Sequence, residues 1–214
     1  MIFELSKTNS IANTYVAELR DETIQKDAMR FRYNLERIAA YFALEISKSM
    51  DYEQINVQTS LGMAPAVKLK EQPVLATILR AGLPMQQGLI QIFDRAPSAF
   101  ITAYRKTHDN GIPEIMVDYV STPDLTGKTL IMADPMLATG LSMVLCCKEL
   151  LKRFKIKELH LVIAIASAAG VAYVREHLPE AKLWIGAVDA DLDSKSYIIP
   201  GLGDAGDLAY GKKL

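Results

Sequence analysis

Residues 129–154 read TLIMADPMLATGLSMVLCCKELLKRF. An apolar run from Thr129 to Ala133 closes on the acid Asp134, a short loop follows, and from Gly140 to Phe154 apolar residues return every three or four positions. This is a strand, a loop and a helix, the repeating unit of a parallel sheet. The same alternation extends to both sides. Short β-branched or aliphatic runs occur at Val74 to Leu79, Ala99 to Tyr104, Leu159 to Ala166 and Leu183 to Val188, with helical spacing again from Ala168 to Leu178. The order predicts an α/β fold, a mostly parallel twisted sheet flanked by helices. In such sheets ligands bind beyond the carboxyl ends of the strands, so those ends are where chemistry is to be sought.

Ahead of the sheet, Phe31, Leu35, Ile38, Phe42 and Ile46 recur at helical spacing while Arg32, Glu36 and Arg37 take the opposite face, which predicts an N-terminal arm of one or two helices. The 214 residues are read as a single domain, 1–214, with a helical arm at 1–50 and a core at 73–214. The most loop-like segment is Lys106 to Pro113. Half the residues are apolar, 23% are charged and the net charge is −1, a balance that gives no support to nucleic-acid binding. Two adjacent cysteines, Cys146 and Cys147, are poorly placed to pair with each other and fit a reducing cytoplasm. The N-terminus lacks the basic and apolar segments of a signal peptide, and the longest apolar stretch, Leu161 to Val174, is too short for a bilayer, so no membrane association is expected.

Three strand ends carry polar or glycine-rich motifs. At the first, the N–H groups from Ala138 to Ser142 would lie unpaired where a helix starts, aimed with its dipole at a phosphate. Thr139 and Ser142 add hydroxyls, and Gly140 permits close approach. Asp134 could accept hydrogen bonds from two neighbouring sugar hydroxyls. The plainer alternative is a turn at Asp134 and Pro135 with Thr139 or Ser142 capping a helix. At the second, Arg80 in ILRAGLPM (78–85) follows directly on a strand, where a guanidinium could fork onto pyrophosphate oxygens with help from N–H groups near Ala81 and Gly82. A surface arginine is the alternative. At the third, YIIPGLGDAG (197–206) holds three glycines and one proline in ten residues, a shaped loop whose backbone could meet a planar base, or one that only packs against the domain.

Taken together, these motifs resemble those of the uracil phosphoribosyltransferases, a branch of the type I phosphoribosyltransferases. DPMLATG followed by a small residue and Ser is similar to the loop that holds phosphoribosyl pyrophosphate (PRPP), with Leu141 where the family has a second glycine. Adjacent Asp and Pro, in place of two acids, point to the uracil branch. ILRAGLPM is similar to ILRAGLGM, Tyr104-Arg105 to the family's YR, and YIIPGLGDAGD to YIVPGLGDAGD. The resemblance implies a type I phosphoribosyltransferase-like fold with a C-terminal base-binding loop. It implies that Asp134, Pro135, Met136, Leu137, Ala138, Thr139, Gly140, Leu141 and Ser142 hold PRPP with Arg80, Arg105 and Asp204. It further implies that Ile198, Gly203, Asp204 and Ala205 meet uracil, and that Asp204 acts through Mg²⁺, a hard cation that bridges one carboxylate to phosphates. Departures occur at Lys106 to Asp109, in place of a short acidic stretch followed by Pro; at Leu208, in place of a basic residue; and at Tyr210, in place of Phe.

The activity implied is transfer of the 5-phosphoribosyl group of PRPP to uracil, giving UMP and pyrophosphate. Asp134, Arg80 and Asp204 would carry it without a covalent nucleophile. Cys146 and Cys147 are then expected to be buried small hydrophobes, and His108 to have no catalytic role. The alternatives are a non-catalytic sensor of uridine nucleotide or PRPP, and a phosphoribosyltransferase for another nucleobase. The resemblance, with the amphipathic arm, implies a homodimer or larger homo-oligomer. GTP is carried as an effector of the family, a point on which the residues of this chain are silent.

Overall fold

The computed structural model describes residues 1–107 and 113–213, with the side chains of residues 104–115 outside that description. A short strand, β1 (Ile2–Glu4), leads into two arm helices, α1 (Ala12–Arg20) and α2 (Ala28–Ser47), and a hairpin of β2 (Tyr52–Gln58) and β3 (Met63–Leu69). Then come β4 (Val74–Leu79), α3 (Leu83–Ile92), β5 (Ser98–Thr107), β6 (Pro113–Ser121), β7 (Thr129–Leu137) and α4 (Leu141–Arg153). After them lie β8 (Glu158–Ser167), α5 (Ala168–His177) and β9 (Lys182–Asp189). A two-strand ribbon of β10 (Asp191–Leu192) and β11 (Ile198–Ile199) precedes the last helix, α6 (Ala205–Tyr210).

Seven strands form one sheet in the order β1-β9-β8-β7-β4-β5-β6, parallel throughout except for the antiparallel edge pair β5–β6. The mostly parallel sheet is therefore as expected. Alternation along its central strands explains the layers. Leu130, Met132, Leu161 and Ile163 enter one apolar cluster with Val144, Leu150 and Val174 of α4 and α5. Their neighbours Ile131, Ala133, Val162 and Ala164 enter another, with Leu19, Phe31, Leu35, Phe42 and Leu89 of α1, α2 and α3. Strands buried on both faces read as continuous apolar runs, and those are the strands that periodicity located.

The expected arm is two helices. Asp27 caps α2 by accepting hydrogen bonds from the N–H groups of Met29 and Arg30, both at 3.0 Å. The segment expected as a loop, 106–113, is in part strand: β5 runs to Thr107 and pairs with β6 from Pro113. Residues 108–112, and with them His108, lie outside the described residues.

Crossovers decide where the sheet opens. Helix α3, which follows β4, covers the face with the arm, whereas α4, which follows β7, covers the other. Strands β4 and β7 are neighbours whose chains leave in opposite directions, the arrangement that leaves a crevice at their carboxyl ends. Phe42, fully buried and edge-on to Phe3 with ring centroids 6.2 Å apart, seats the arm on this core. Phe42→Ala is expected to cost about 3–5 kcal/mol in chemical denaturation; a loss under about 1 kcal/mol would show that α2 is not seated through this ring.

Candidate active site

β4 and β7 pair only as far as Thr77 and Ala133, where the Thr77 hydroxyl donates to the Ala133 carbonyl at 3.1 Å. Beyond that rung β7 stays with β8 through Leu137, while β4 stops at Leu79. The strands part around a cavity of about 380 Å³ lined by Arg80, Asp134, Ser142, Ile198, Asp204 and Ala205 among others. A recess of about 120 Å³, lined by the residues from Met136 to Met143 together with Asp134 and Ser196, adjoins it. Residues 134 and 204, distant in sequence, thus share one cavity.

Asp134 is not the last residue of its strand, as expected from the sequence; pairing with β8 carries Met136 and Leu137 into the ladder, so the loop proper is only Ala138 to Gly140. Pro135 read as a turn because it cannot donate to a ladder, yet here β4 has already withdrawn. Burial raises the Asp134 carboxyl to about 7, against the opposing hydrogen bond from the Met136 N–H. A half-buried carboxyl with no side-chain partner among the described residues is suited to a ligand that brings its own donors.

Gly140 precedes α4 with φ +79°, and a Cβ there would sit 2.9 Å from the Gly170 carbonyl, so both backbone and packing call for glycine. No side chain caps α4; Thr139 Oγ1 accepts only a long 3.4 Å bond from the Leu141 N–H, and Ser142 does not cap it. Leu141 has an ordinary backbone conformation at the first helical position and needs no glycine. Ser167, which the sequence did not single out, braces the loop: its hydroxyl donates to the Ala138 carbonyl at 2.5 Å and accepts the Gly170 N–H at 2.8 Å.

Arg80 stands at the cavity wall and its Nη2 donates to Asp207 at 2.7 Å. Its Nε is buried without a partner. Gly82 departs from expectation. Its φ is −76° and its N–H is taken by the Ile78 carbonyl at 3.1 Å, so it offers no donor to a ligand; glycine is needed because a Cβ would collide with Thr77 and Ala133. Arg105 lies in β5, but its side chain is outside the described residues.

The third motif contains more regular structure than its glycines suggested. Ile198 and Ile199 form β11, and Ala205 and Gly206 already belong to α6, because Asp204 caps that helix by accepting the Asp207 N–H at 2.9 Å. Asp204 is exposed and its second oxygen makes no hydrogen bond among the described residues. Ser196 and Tyr197 also line the cavity, on a turn in which the Asp193 carboxylate accepts the Lys195 and Tyr197 N–H groups, each at 2.8 Å. That Asp-x-Lys spacing was visible in sequence but only marks a turn. Cys146 and Cys147 are buried as expected, and burial pushes the Cys146 thiol up to about 12.

The Asp134 geometry has a pH signature. A carboxyl raised in the folded chain stabilises it fully below the unfolded value near 4, and that contribution is lost as pH rises through about 7. Asp134→Asn should remove the loss: compared with the parent, the ligand-free variant gains on the order of 2 kcal/mol between pH 5 and 8, read by denaturant melts. Parallel pH profiles would refute a desolvated Asp134 without a charged partner.

The family model described as Uracil phosphoribosyltransferase matches residues 6–212. A uracil phosphoribosyltransferase of Porphyromonas gingivalis is 47% identical over 214 residues, covering 100% of this chain and 99% of its own. A solved protein of Aquifex aeolicus superposes with a TM-score of 0.87 at 32% identity, covering 99% of this chain and 98% of that one. A hypoxanthine phosphoribosyltransferase of Staphylococcus aureus, at 13% identity and TM-score 0.50 over 80% of this chain and 85% of its own, shares the fold alone. The fold is thus that of the type I phosphoribosyltransferases, and the chain belongs to the uracil phosphoribosyltransferase family.

Proposed function

We propose that the whole chain works as one catalytic unit that transfers the 5-phosphoribosyl group of PRPP to uracil, giving UMP and pyrophosphate. The observation that carries this is the meeting of Asp134, Arg80, Asp204 and the glycine-rich loop around one cavity. Asp134 accepts hydrogen bonds from the two ribose hydroxyls, for which its carboxyl has no side-chain partner among the described residues. The recess from Ala138 to Ser142, at the uncapped start of α4, takes the 5-phosphate. Arg80 faces the leaving pyrophosphate, and Arg105 is proposed to join it. Ile198, Gly203 and Ala205 present backbone groups to the edge of uracil. Bond breaking to pyrophosphate runs ahead of bond making at the anomeric carbon, so the residues act by alignment and by stabilising charge rather than by attacking the sugar.

Mg²⁺ fits the donor set: Asp204 commits one oxygen to the α6 cap and leaves the other, and a magnesium site needs few carboxylates when phosphates and water fill the remaining positions. The ion would neutralise charge on pyrophosphate. A homodimer or larger assembly goes with this reading, supported by a hairpin that pairs only with itself while Val57, Leu61, Met63 and Val67 are exposed. GTP is retained as an effector to be assayed. A cytoplasmic setting is supported by two free, buried cysteines; no described helix is long and apolar enough to cross a membrane.

A base panel tests the activity. UMP should form from uracil, PRPP and Mg²⁺, with cytosine, hypoxanthine and xanthine turned over at least about a hundredfold less efficiently. Turnover of another base in preference to uracil would reassign the substrate, and tight PRPP binding with no turnover of any base would favour a sensor. Asp134→Ala and Asp204→Ala should each lower kcat/KM for PRPP by about a hundredfold or more without loss of fold by circular dichroism.

A further inference from the structure

Arg20 lies on α1, in the arm, and does not line the cavity. Its guanidinium forks onto Asp189 at the end of β9, with Nη1 to Oδ2 at 2.8 Å and Nη2 to Oδ1 at 2.7 Å. Both partners then hold one residue of the base loop: Nη1 of Arg20 donates to the Gly201 carbonyl at 3.1 Å, and Oδ2 of Asp189 accepts the Gly201 N–H at 2.9 Å. Both peptide groups of Gly201 are thereby fixed by one ion pair. Gly201 has φ +59°, and a Cβ would run into the Ile198 carbonyl, so the chain turns tightly between Ile198 and Gly203. The next residue is held from the same arm: with its amide turned to satisfy both neighbours, Gln25 donates to the carbonyls of Leu202 at 2.8 Å and Leu19 at 3.1 Å. Further along, Arg32 of α2 donates to the Ala209 carbonyl at 2.6 Å and lies over the Tyr210 ring.

We infer that Arg20, through Asp189 and Gly201, is a positioning residue for the nucleobase, setting the backbone of residues 198–205 that reads the edge of uracil. The inference rests on the function proposed above. Three facts favour it over a contact that only stabilises the fold. The pair reaches both the donor and the acceptor of a single loop residue. Bidentate geometry fixes orientation as well as distance, which a single point charge does not. The pair is also set for a permanent bond, because burial would raise the Asp189 carboxyl but the Arg20 and Gly201 hydrogen bonds outweigh it and hold it below the ordinary range. A site that recognises a base by backbone groups depends on their placement to within about half an ångström, and this loop has no long element of its own to supply that.

Full-length Arg20→Met, Arg20→Lys and Gln25→Ala, assayed with each substrate varied in turn, test the assignment. Arg20→Met should raise KM for uracil tenfold or more and leave KM for PRPP within twofold. Arg20→Lys, which keeps the charge without the fork, should recover part of that loss, and Gln25→Ala should raise KM for uracil two- to fivefold. Should Arg20→Met not fold, the other two carry the measurement. A parallel change in both KM values, or a lowered melting temperature with both KM values unchanged, would overturn the role. Hydrogen exchange separates this outcome from failure of the functional reading. If the parent enzyme makes no UMP, the activity is wrong, but faster exchange of residues 198–204 in Arg20→Lys, with residues 134–142 unchanged, still supports the brace, and equal exchange refutes it.

Discussion

The parting of β4 from β7 at the rung between Thr77 and Ala133 is the constraint from which the site follows. A parallel sheet covered on both faces has no room for a ligand except where two neighbouring strands send their crossovers to opposite sides. Here that place is marked by the Thr77 hydroxyl, which spends its donor on the Ala133 carbonyl and closes the apolar interior immediately below Asp134. The next residue of β7 therefore projects a carboxyl into a gap with no strand opposite. Burying a carboxyl without a charged partner is costly, and the raised Asp134 value expresses that cost, which the Met136 N–H offsets only in part. Such a group persists in a fold when a ligand supplies the missing donors.

Around that gap, the elements that hold the site come from distant parts of the chain. The recess at the start of α4 is stiffened from β8 and α5, through Ser167 and Gly170, rather than from its own loop. The loop from Ile198 to Ala205 is stiffened from the arm and from β9. A glycine-rich segment loses more backbone entropy on ordering than any other, so its conformation needs external bonds to persist. Those bonds span 169 residues between Arg20 and Asp189 and 181 between Arg20 and Gly201.

That separation explains what could and could not be read in the sequence. Central strands β4, β7, β8 and β9 were legible because burial on both faces makes them unbroken apolar runs, and α4 and α5 because each has one apolar stripe. The three polar or glycine-rich strand ends that meet at the cavity were legible because glycines and short polar groups interrupt otherwise apolar runs. Hairpin β2–β3 (YEQINVQ and MAPAVKL) was not, since neither face is buried within the chain and no apolar pattern is imposed on it. Helix α3 (LPMQQGLIQI) escaped because a buried polar residue, Gln86, and Gly88 interrupt its inward stripe. Strand β6, an edge strand begun by Pro113, lacks the double burial of its neighbours. Pairs such as Arg80 with Asp207 have no local signature, being created only when residues 127 apart are folded together.

Asp207 also accounts for how a cation and a carboxylate can face the same cavity without neutralising each other. Arg80 and Asp204 flank Gly206, with Nε of one and Oδ1 of the other both within 4 Å of where its Cβ would stand. Left free, such opposite charges would pair directly, and both would be lost to a ligand. Asp207 separates them: its carboxylate takes Nη2 of Arg80 at 2.7 Å, and its N–H takes Oδ1 of Asp204 at 2.9 Å. Each partner thus gives up one bonding position and keeps the others. Arg80 keeps an Nε that has no partner among the described residues, and Asp204 keeps one carboxylate oxygen outside the cap.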